Sequence, residues 1–259
     1  MQKSRFFPSI GVFLHRRFLK VGKDNNFPMK IDALVPAAGV GRRMGGSIPK
    51  QYMTLGTRTM LELTVEALRR CPAVNRIVIA VSPEDEYFDS LKLSGDADII
   101  RACGGKERSD TVREALSAVT TEWVLVHDAA RPFVDSEDIL KLTECCEEPA
   151  FQGGILASPC TDTLKLIERE TVAGVISIER TLDRSKVYRA LTPQLFRTQQ
   201  LKKALLDAKE QNIPITDEAS ALEYAGIHPR IIEGRSDNIK ITTKEDLYLA
   251  RALLKQEDK

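Results

Sequence analysis

The chain has no Cys-x-x-Cys pair and no cysteine spacing suited to zinc. Its five cysteines, Cys71, Cys103, Cys145, Cys146 and Cys160, are odd in number and scattered. Such a set suggests reduced thiols in a cytosol-like compartment, so a cytoplasmic location is expected. Long hydrophobic runs are lacking too: nothing approaches the roughly 18 apolar residues that a membrane span requires. Nor does either charge dominate, since Lys+Arg 38 against Asp+Glu 37 leaves a net charge of +1. Nothing global advertises a nucleic-acid partner, and any cation cluster has to be local. Internal repeats and low-complexity segments are missing. What is left is ordinary for a globular protein, 42% hydrophobic and 29% charged in 259 residues. That length holds one α/β domain with insertions, or at most two small ones.

Lys3, Arg5, Arg16, Arg17, Lys20 and Lys23 all precede the first acidic residue, Asp24. Pro8 and the cluster His15-Arg16-Arg17 interrupt any apolar core there, which argues against a secretory signal. An organellar transit peptide shares the basic, acid-poor look, but this segment is poor in serine. The expectation is a basic, disordered and dispensable extension over residues 1–28, or a working start at Met29, ahead of one domain over residues 29–259.

From Ile31 the chain alternates. Short β-branched runs at "IDALVP", "RIVIAV", "ADIIRA", "EWVLVHD" and "GGILAS" read as strands, and "MLELTVEALRR", "TVREALSAV" and "SEDILKLTECC" as helices between them. Thr59 and Glu62 have capping-box spacing at the first helix, and Leu61, Val65 and Leu68 form a core stripe along it. Strands this apolar, without strict alternation, are buried on both faces of a mostly parallel sheet. The expected class is α/β, a doubly wound Rossmann-like sheet with ligands outside the carboxyl ends of its strands. Between about 160 and 189 the alternation fails. Two extended runs around "ERETVAG" predict an inserted β-hairpin, which would be marginal alone and so is expected to pack on a partner chain. Helices at "TQQLKKALLDAKEQ" and "TDEASALEYAG" follow, then strands at "RIIEG" and "DNIKIT" and a last helix from about Thr243.

The first strand runs into "PAAGVGRRMGGSIPKQY". A dinucleotide fingerprint fails because Met44 stands where the third glycine belongs, and a P-loop fails because Ser47 follows Gly46. The small residues Ala37, Ala38 and Gly39 leave room for a base and ribose against the backbone. Amides around Gly39 and Gly41 could donate to a phosphate, and Arg43 and Lys50 bring cations to the same anion. Several cations aimed at one phosphorus suggest charge that builds during phosphoryl or nucleotidyl transfer. A solvated glycine/arginine loop fits the same residues.

The motifs "PAAGVGRRM…PKQY", "GGKERSDTV", "VHDAARPF", "TDTLK", "RALTPQLF", "TDEASALEYAG" and "DNIKIT" occur in this order from about Ile31 to Leu254. Together they resemble the 2-C-methyl-D-erythritol 4-phosphate cytidylyltransferase family of the non-mevalonate isoprenoid pathway. The resemblance implies transfer of CMP from CTP to methylerythritol phosphate, with Mg²⁺ and release of pyrophosphate. It implies Arg43 and Lys50 as stabilisers of the transition state, and Gly104, Gly105 and Thr111 beside the cytosine, with Arg108 supporting that loop. The family often has a carboxylate where Lys106 stands, and usually serine at Thr111. Asp128, just past an apolar strand, is implied near the sugar alcohol and the phosphates, as nucleotide contact and as metal ligand. Arg131 is implied as a clamp for the substrate's phosphate, although Asp128 and Arg131 also fit a local salt bridge. Thr163 and Arg184 lie in the hairpin, which the resemblance makes a homodimer arm reaching the opposite subunit's substrate. Thr216 and Lys240 complete the implied pocket, Lys240 holding the attacking phosphate beside CTP. That phosphate is already an anion, so His127 is read as a packing or hydrogen-bonding residue rather than a base. Cys160 is read as a spectator.

Three rival readings stand beside this one. A cytidylyltransferase for another polyol phosphate, such as ribitol 5-phosphate, shares the nucleotide loop. A sugar-nucleotide pyrophosphorylase would not usually carry the arm and "ALTPQ". A silent nucleotide-binding module would not need Arg43, Lys50, Arg184 and Lys240 together.

Overall fold

The computed structural model describes residues 29–39, 48–168 and 176–257. In chain order the elements are β1 (Ile31–Pro36), β2 (Thr54–Leu55), β3 (Arg58–Thr59), α1 (Met60–Arg69), β4 (Val74–Val81), β5 (Ile99–Cys103), α2 (Arg108–Ala115), β6 (Trp123–Val126), α3 (Ser136–Glu144) and β7 (Gly154–Pro159). They continue as β8 (Lys165–Ile167), β9 (Ile178–Thr181), β10 (Tyr188–Arg197), α4 (Thr198–Glu210), α5 (Glu218–Tyr224), β11 (Arg230–Glu233) and α6 (Lys244–Glu257). Among the described residues no helix is long and apolar enough to cross a membrane.

Seven strands make one sheet in the order β11-β7-β10-β6-β1-β4-β5. β1 runs parallel to β4 and β6, β4 to β5, and β7 to β11, while β10 lies antiparallel between β6 and β7. The apolar run of β1 has a direct cause. Ile31, Ala33 and Val35 pack on one face with Leu61, Val65 and Leu68 of α1 and Ile139 and Leu142 of α3. Leu34 packs on the other with Val112 of α2, Leu201 and Leu205 of α4 and Leu222 of α5. Both faces are covered, as a doubly wound sheet requires. Thr59 and Glu62 do form a capping box at the start of α1.

Two elements depart from expectation. The stretch 237–242 is irregular rather than a strand: Ile241 donates its N–H to Ala130 O at 2.9 Å, and its side chain is fully buried against α1 and α6. Side-chain anchoring and a loop hydrogen bond take the place of a strand ladder. The second departure is β10, which no sequence signal announced because Pro193 cannot donate within a central strand. Its pairing with β7 shifts register between Ala190 and Gln194, so the missing N–H falls where the ladder is interrupted.

The inserted hairpin is present. β8 and β9 pair antiparallel as a separate two-stranded sheet, Lys165 opposite Thr181 and Leu166 opposite Arg180. Ile167, Ile176 and Ile178 on it are exposed. Its turn, like residues 1–28, Gly41 and Arg43, lies outside the described residues.

Candidate active site

The carboxyl ends of β1, β5 and β6 open onto one cleft of about 330 Å³, where the crevice of such a sheet is expected. Ala37, Ala38 and Gly39 leave β1 into it, Gly105 to Arg108 and Thr111 follow β5, Asp128 to Ala130 follow β6, and Lys50 and Lys240 enter from the sides. Gln51, 3% exposed, ties the Lys50 segment to β1 by donating Nε2 to Ala37 O at 2.6 Å.

The glycines after β5 serve close packing. A Cβ on Gly104 would stand 2.5 Å from that of Ala38, and one on Gly105 would stand 2.5 Å from Asp110 Cβ. Thr111 braces the same turn from below: its hydroxyl accepts from Gly105 N–H at 3.1 Å and meets Glu107 O at 2.9 Å. The loop is therefore packed against the β1 loop through Gly104, while Gly105 and Thr111 line the cleft.

Asp128 organises the floor. Its Oδ1 accepts from Arg108 Nε at 3.0 Å, and its Oδ2 faces Lys240 Nζ at 2.9 Å and Arg131 Nε at 3.3 Å. Burial by itself would raise this carboxyl, but the charges of Arg108, Lys240 and Arg131 outweigh it and hold the group far below the usual carboxylate range. Arg108 is bound a second time, its two Nη atoms on Glu218 Oε1 and Oε2 at 2.7 and 3.0 Å. Burial opposes its charge, and Glu218 and Asp128 more than restore it. Arg131, pulled below its ordinary value by burial, also donates Nη1 to Asn238 O at 2.8 Å. Three cations thus face two buried carboxylates, Asp128 and Glu218, which leaves an excess of positive charge under the cleft.

A chain of hydrogen bonds fixes this floor. Asp128 N–H donates to Thr192 Oγ1 at 3.1 Å, and Thr192 Oγ1 lies 3.0 Å from His127 Nδ1. His127 Nε2 lies 2.9 Å from Arg131 O, which can only accept, so the ring carries its proton on Nε2 and accepts from Thr192 on Nδ1. Burial pushes His127 down to about 4. The ring is neutral at physiological pH, as the packing role expected of it requires. Because its folded value lies below the unfolded one, the neutral ring's contribution to stability is present above pH ~6.5 and is lost as pH falls through about 4. The turnover profile is expected to carry no His127 limb between about pH 5 and 8. A limb in that range that vanishes in His127→Gln would give the ring a proton-transfer role.

Of the residues singled out in the sequence, Ala37, Ala38, Gly39, Lys50, Gly105, Thr111, Asp128 and Lys240 meet in the cleft. Arg131 sits behind it on Asp128. Thr163, Arg184 and Thr216 are exposed and do not line it; Arg184 donates Nη1 to Thr161 O at 2.7 Å at the base of the hairpin. Cys160 is buried, and none of the five cysteines is in a disulfide. Glu218, Gln51, Thr192 and Asn238 were missed as individual residues. Each is a common residue type inside a quoted motif, and a glutamate in the first turn of a helix reads as ordinary dipole complementation.

The donor set of the described residues makes no resident metal cage. Among the described residues no group of three or more His, Cys, Asp or Glu stands together, and both oxygens of Asp128 are engaged by cations.

The family model for 2-C-methyl-D-erythritol 4-phosphate cytidylyltransferase matches residues 31–256. A Vibrio parahaemolyticus protein of that name is 49% identical over 230 residues, 87% of this chain and 95% of the relative. One from Aliivibrio fischeri is 49% identical over 233 residues, 88% and 95% of the two chains. The solved Francisella tularensis enzyme of that name is 36% identical with a TM-score of 0.72, covering 86% of this chain and 99% of that one.

Proposed function

Because this chain belongs to the 2-C-methyl-D-erythritol 4-phosphate cytidylyltransferase family, we infer that the cleft is where its transfer reaction takes place. The protein is a cytidylyltransferase that joins CMP from CTP to 2-C-methyl-D-erythritol 4-phosphate and releases pyrophosphate. One observation carries the assignment of the site: Lys240, paired to the buried Asp128, faces Lys50 and the β1 loop across a single cleft. An oxygen of the acceptor phosphate attacks the α-phosphorus of CTP, a P–O bond forms, and the bond to the β-phosphate oxygen breaks with its electron pair leaving on pyrophosphate. Both reactants are anions, so the chain's task is to bring them together and neutralise charge.

In this reading Ala37, Ala38, Gly39 and the Gly105–Thr111 turn seat the nucleoside, and Lys50 meets the phosphates of CTP. Lys240 holds the acceptor phosphate, and Asp128 fixes Lys240. Arg43 and Gly41 join them by the motif alone. Mg²⁺ bound to the phosphates of CTP would offset their charge, with Asp128 the carboxylate beside them; the pairing of Asp128 with Lys240 and the ion's preference for phosphate and water favour such a loose hold over a prepared protein site. A cytoplasmic location accords with the free thiols.

The hairpin is proposed as a homodimer arm. Ile167, Ile176, Ile178 and Tyr188 are exposed on or beside it, and Thr163 and Arg184 do not line this chain's cleft, which supports a role for them in a partner's. Light scattering at assay concentration is expected to give the dimer mass; a monomer there would sink the arm's role.

The test of function is pyrophosphate release with CTP and Mg²⁺, offering methylerythritol phosphate and ribitol 5-phosphate in parallel. Release with the first alone is expected. Release with ribitol 5-phosphate alone would keep the chemistry and overturn the acceptor.

A further inference from the structure

Glu218 has no place in the reaction as described so far, yet it is the most fully buried carboxylate beside the cleft, at 0% exposure. Its position is set before any ligand arrives. The residues on either side of it are both pinned to Gln194 in β10: Gln194 Nε2 donates to Asp217 Oδ2 at 2.8 Å, and Ala219 N–H donates to Gln194 Oε1 at 2.9 Å. Asp217 also caps α5 by accepting from Ser220 N–H. From this fixed point Glu218 takes both terminal nitrogens of Arg108, at 2.7 and 3.0 Å, and leaves Nε to Asp128 at 3.0 Å.

Arg108 lines the cleft, within the Gly105–Thr111 turn proposed to seat the nucleoside. A guanidinium fork free to turn there would be the strongest phosphate binder in the site, because it grips two oxygens at once where lysine offers a point charge. Binding that tightens on CTP before reaction lowers KM without raising turnover. A carboxylate that occupies the fork prevents this and keeps Asp128 in place for Lys240. We infer that Glu218 is a positioning residue for the transfer, acting through Arg108: it withholds the guanidinium fork from the phosphates of CTP and braces Asp128 against it. The inference rests on the cytidylyl-transfer reading above.

The test is Glu218→Gln in the full chain, with kinetics for both substrates and calorimetric CTP binding without acceptor. Turnover is expected to fall by about 10–100-fold, while CTP affinity is unchanged or tighter. Glu218→Asp, which keeps the charge, is expected to recover part of the turnover. In an Arg108→Lys background, which has no fork, adding Glu218→Gln is expected to change turnover little, since the two residues act as one unit. Unaltered turnover in Glu218→Gln, turnover and CTP affinity falling together, or an undiminished effect in the Arg108→Lys background would each overturn the inference. Should Glu218→Gln fail to fold, the same split is read from Glu218→Asp, where turnover alone is expected to fall. Wild type assayed alongside separates the two levels. Silence of wild type with CTP and methylerythritol phosphate sinks the reading of function, whereas active wild type with an unaltered variant sinks only the role of Glu218.

Discussion

Lys240→Ala is expected to lower turnover by roughly 10²–10³-fold, while CTP affinity changes by less than about tenfold. The expectation rests on how the ammonium is held. Lys240 Nζ lies 2.9 Å from Asp128 Oδ2, with its side chain about one-third exposed toward the cleft. The chain on either side is fixed: Ile241 is fully buried and bonded to Ala130 O at 2.9 Å. Asn238, 1% exposed, donates Nδ2 to Thr192 O at 2.7 Å and accepts from Arg131. A charge held this way needs no reorganisation when two phosphates approach, and that approach is where the repulsion rises. In the proposed site CTP alone would also meet Lys50 and the two loops that line the cleft, so its ground-state binding is expected to depend less on Lys240. Steady-state kinetics with both substrates, set against calorimetric CTP binding, separates these contributions. Equal losses in turnover and affinity would mean that Lys240 is a nucleotide-binding residue and would remove it from the transfer step.

Much of this arrangement was legible in the amino-acid order. β1, β4, β6 and β7 coincide with apolar runs because each is covered on both faces, and burial on both faces suppresses the alternation that would mark a half-exposed strand; β5, at the sheet edge, exposes Arg101 and Cys103 instead. The cleft at their carboxyl ends follows from the fold rule and from the small residues after β1. Other parts were hidden for physical reasons. Pro193 argues against a central strand, and only the register shift in the β10–β7 pairing shows how the sheet tolerates it. Ile239 and Ile241 read as β-branched strand residues, but they serve as packing anchors for the segment that carries Lys240. Gly104 and Gly105 read as an opening for a base. In the structure the immediate demand for glycine comes from Ala38 and Asp110, whose Cβ atoms leave no space for another. Glu218 and Gln194 were invisible because their partners are Arg108 and the two neighbours of Glu218, contacts made between distant parts of the chain. Sequence spacing carries information about a helix face or a strand edge, and it carries none about which arginine a buried glutamate will meet.

Asp128→Asn is expected to cost about 3–5 kcal/mol of stability at neutral pH, the usual range for removing one partner of a buried ion pair. The amide keeps the shape of the side chain and removes its charge. Arg108 retains Glu218, but the buried Arg131 and the one-third-exposed Lys240 lose the carboxylate they share. The dependence on pH follows from the same cations. Since they hold the folded Asp128 carboxyl below its unfolded value, its contribution is fully present above the ordinary carboxylate range, about pH 4. It is lost as pH falls through the folded value, so the gap between wild type and Asp128→Asn should be widest near neutrality and narrow progressively below about pH 4. Urea denaturation of both proteins across that range measures it. Turnover should fall by about the same factor as in Lys240→Ala, roughly 10²–10³-fold, because Lys240 loses the group that aims it. A variant that keeps its full stability at neutral pH and loses only activity would give a different picture. Asp128 would then act chiefly on the metal-bound phosphates, and the three cations around it would be held by the rest of the floor without it.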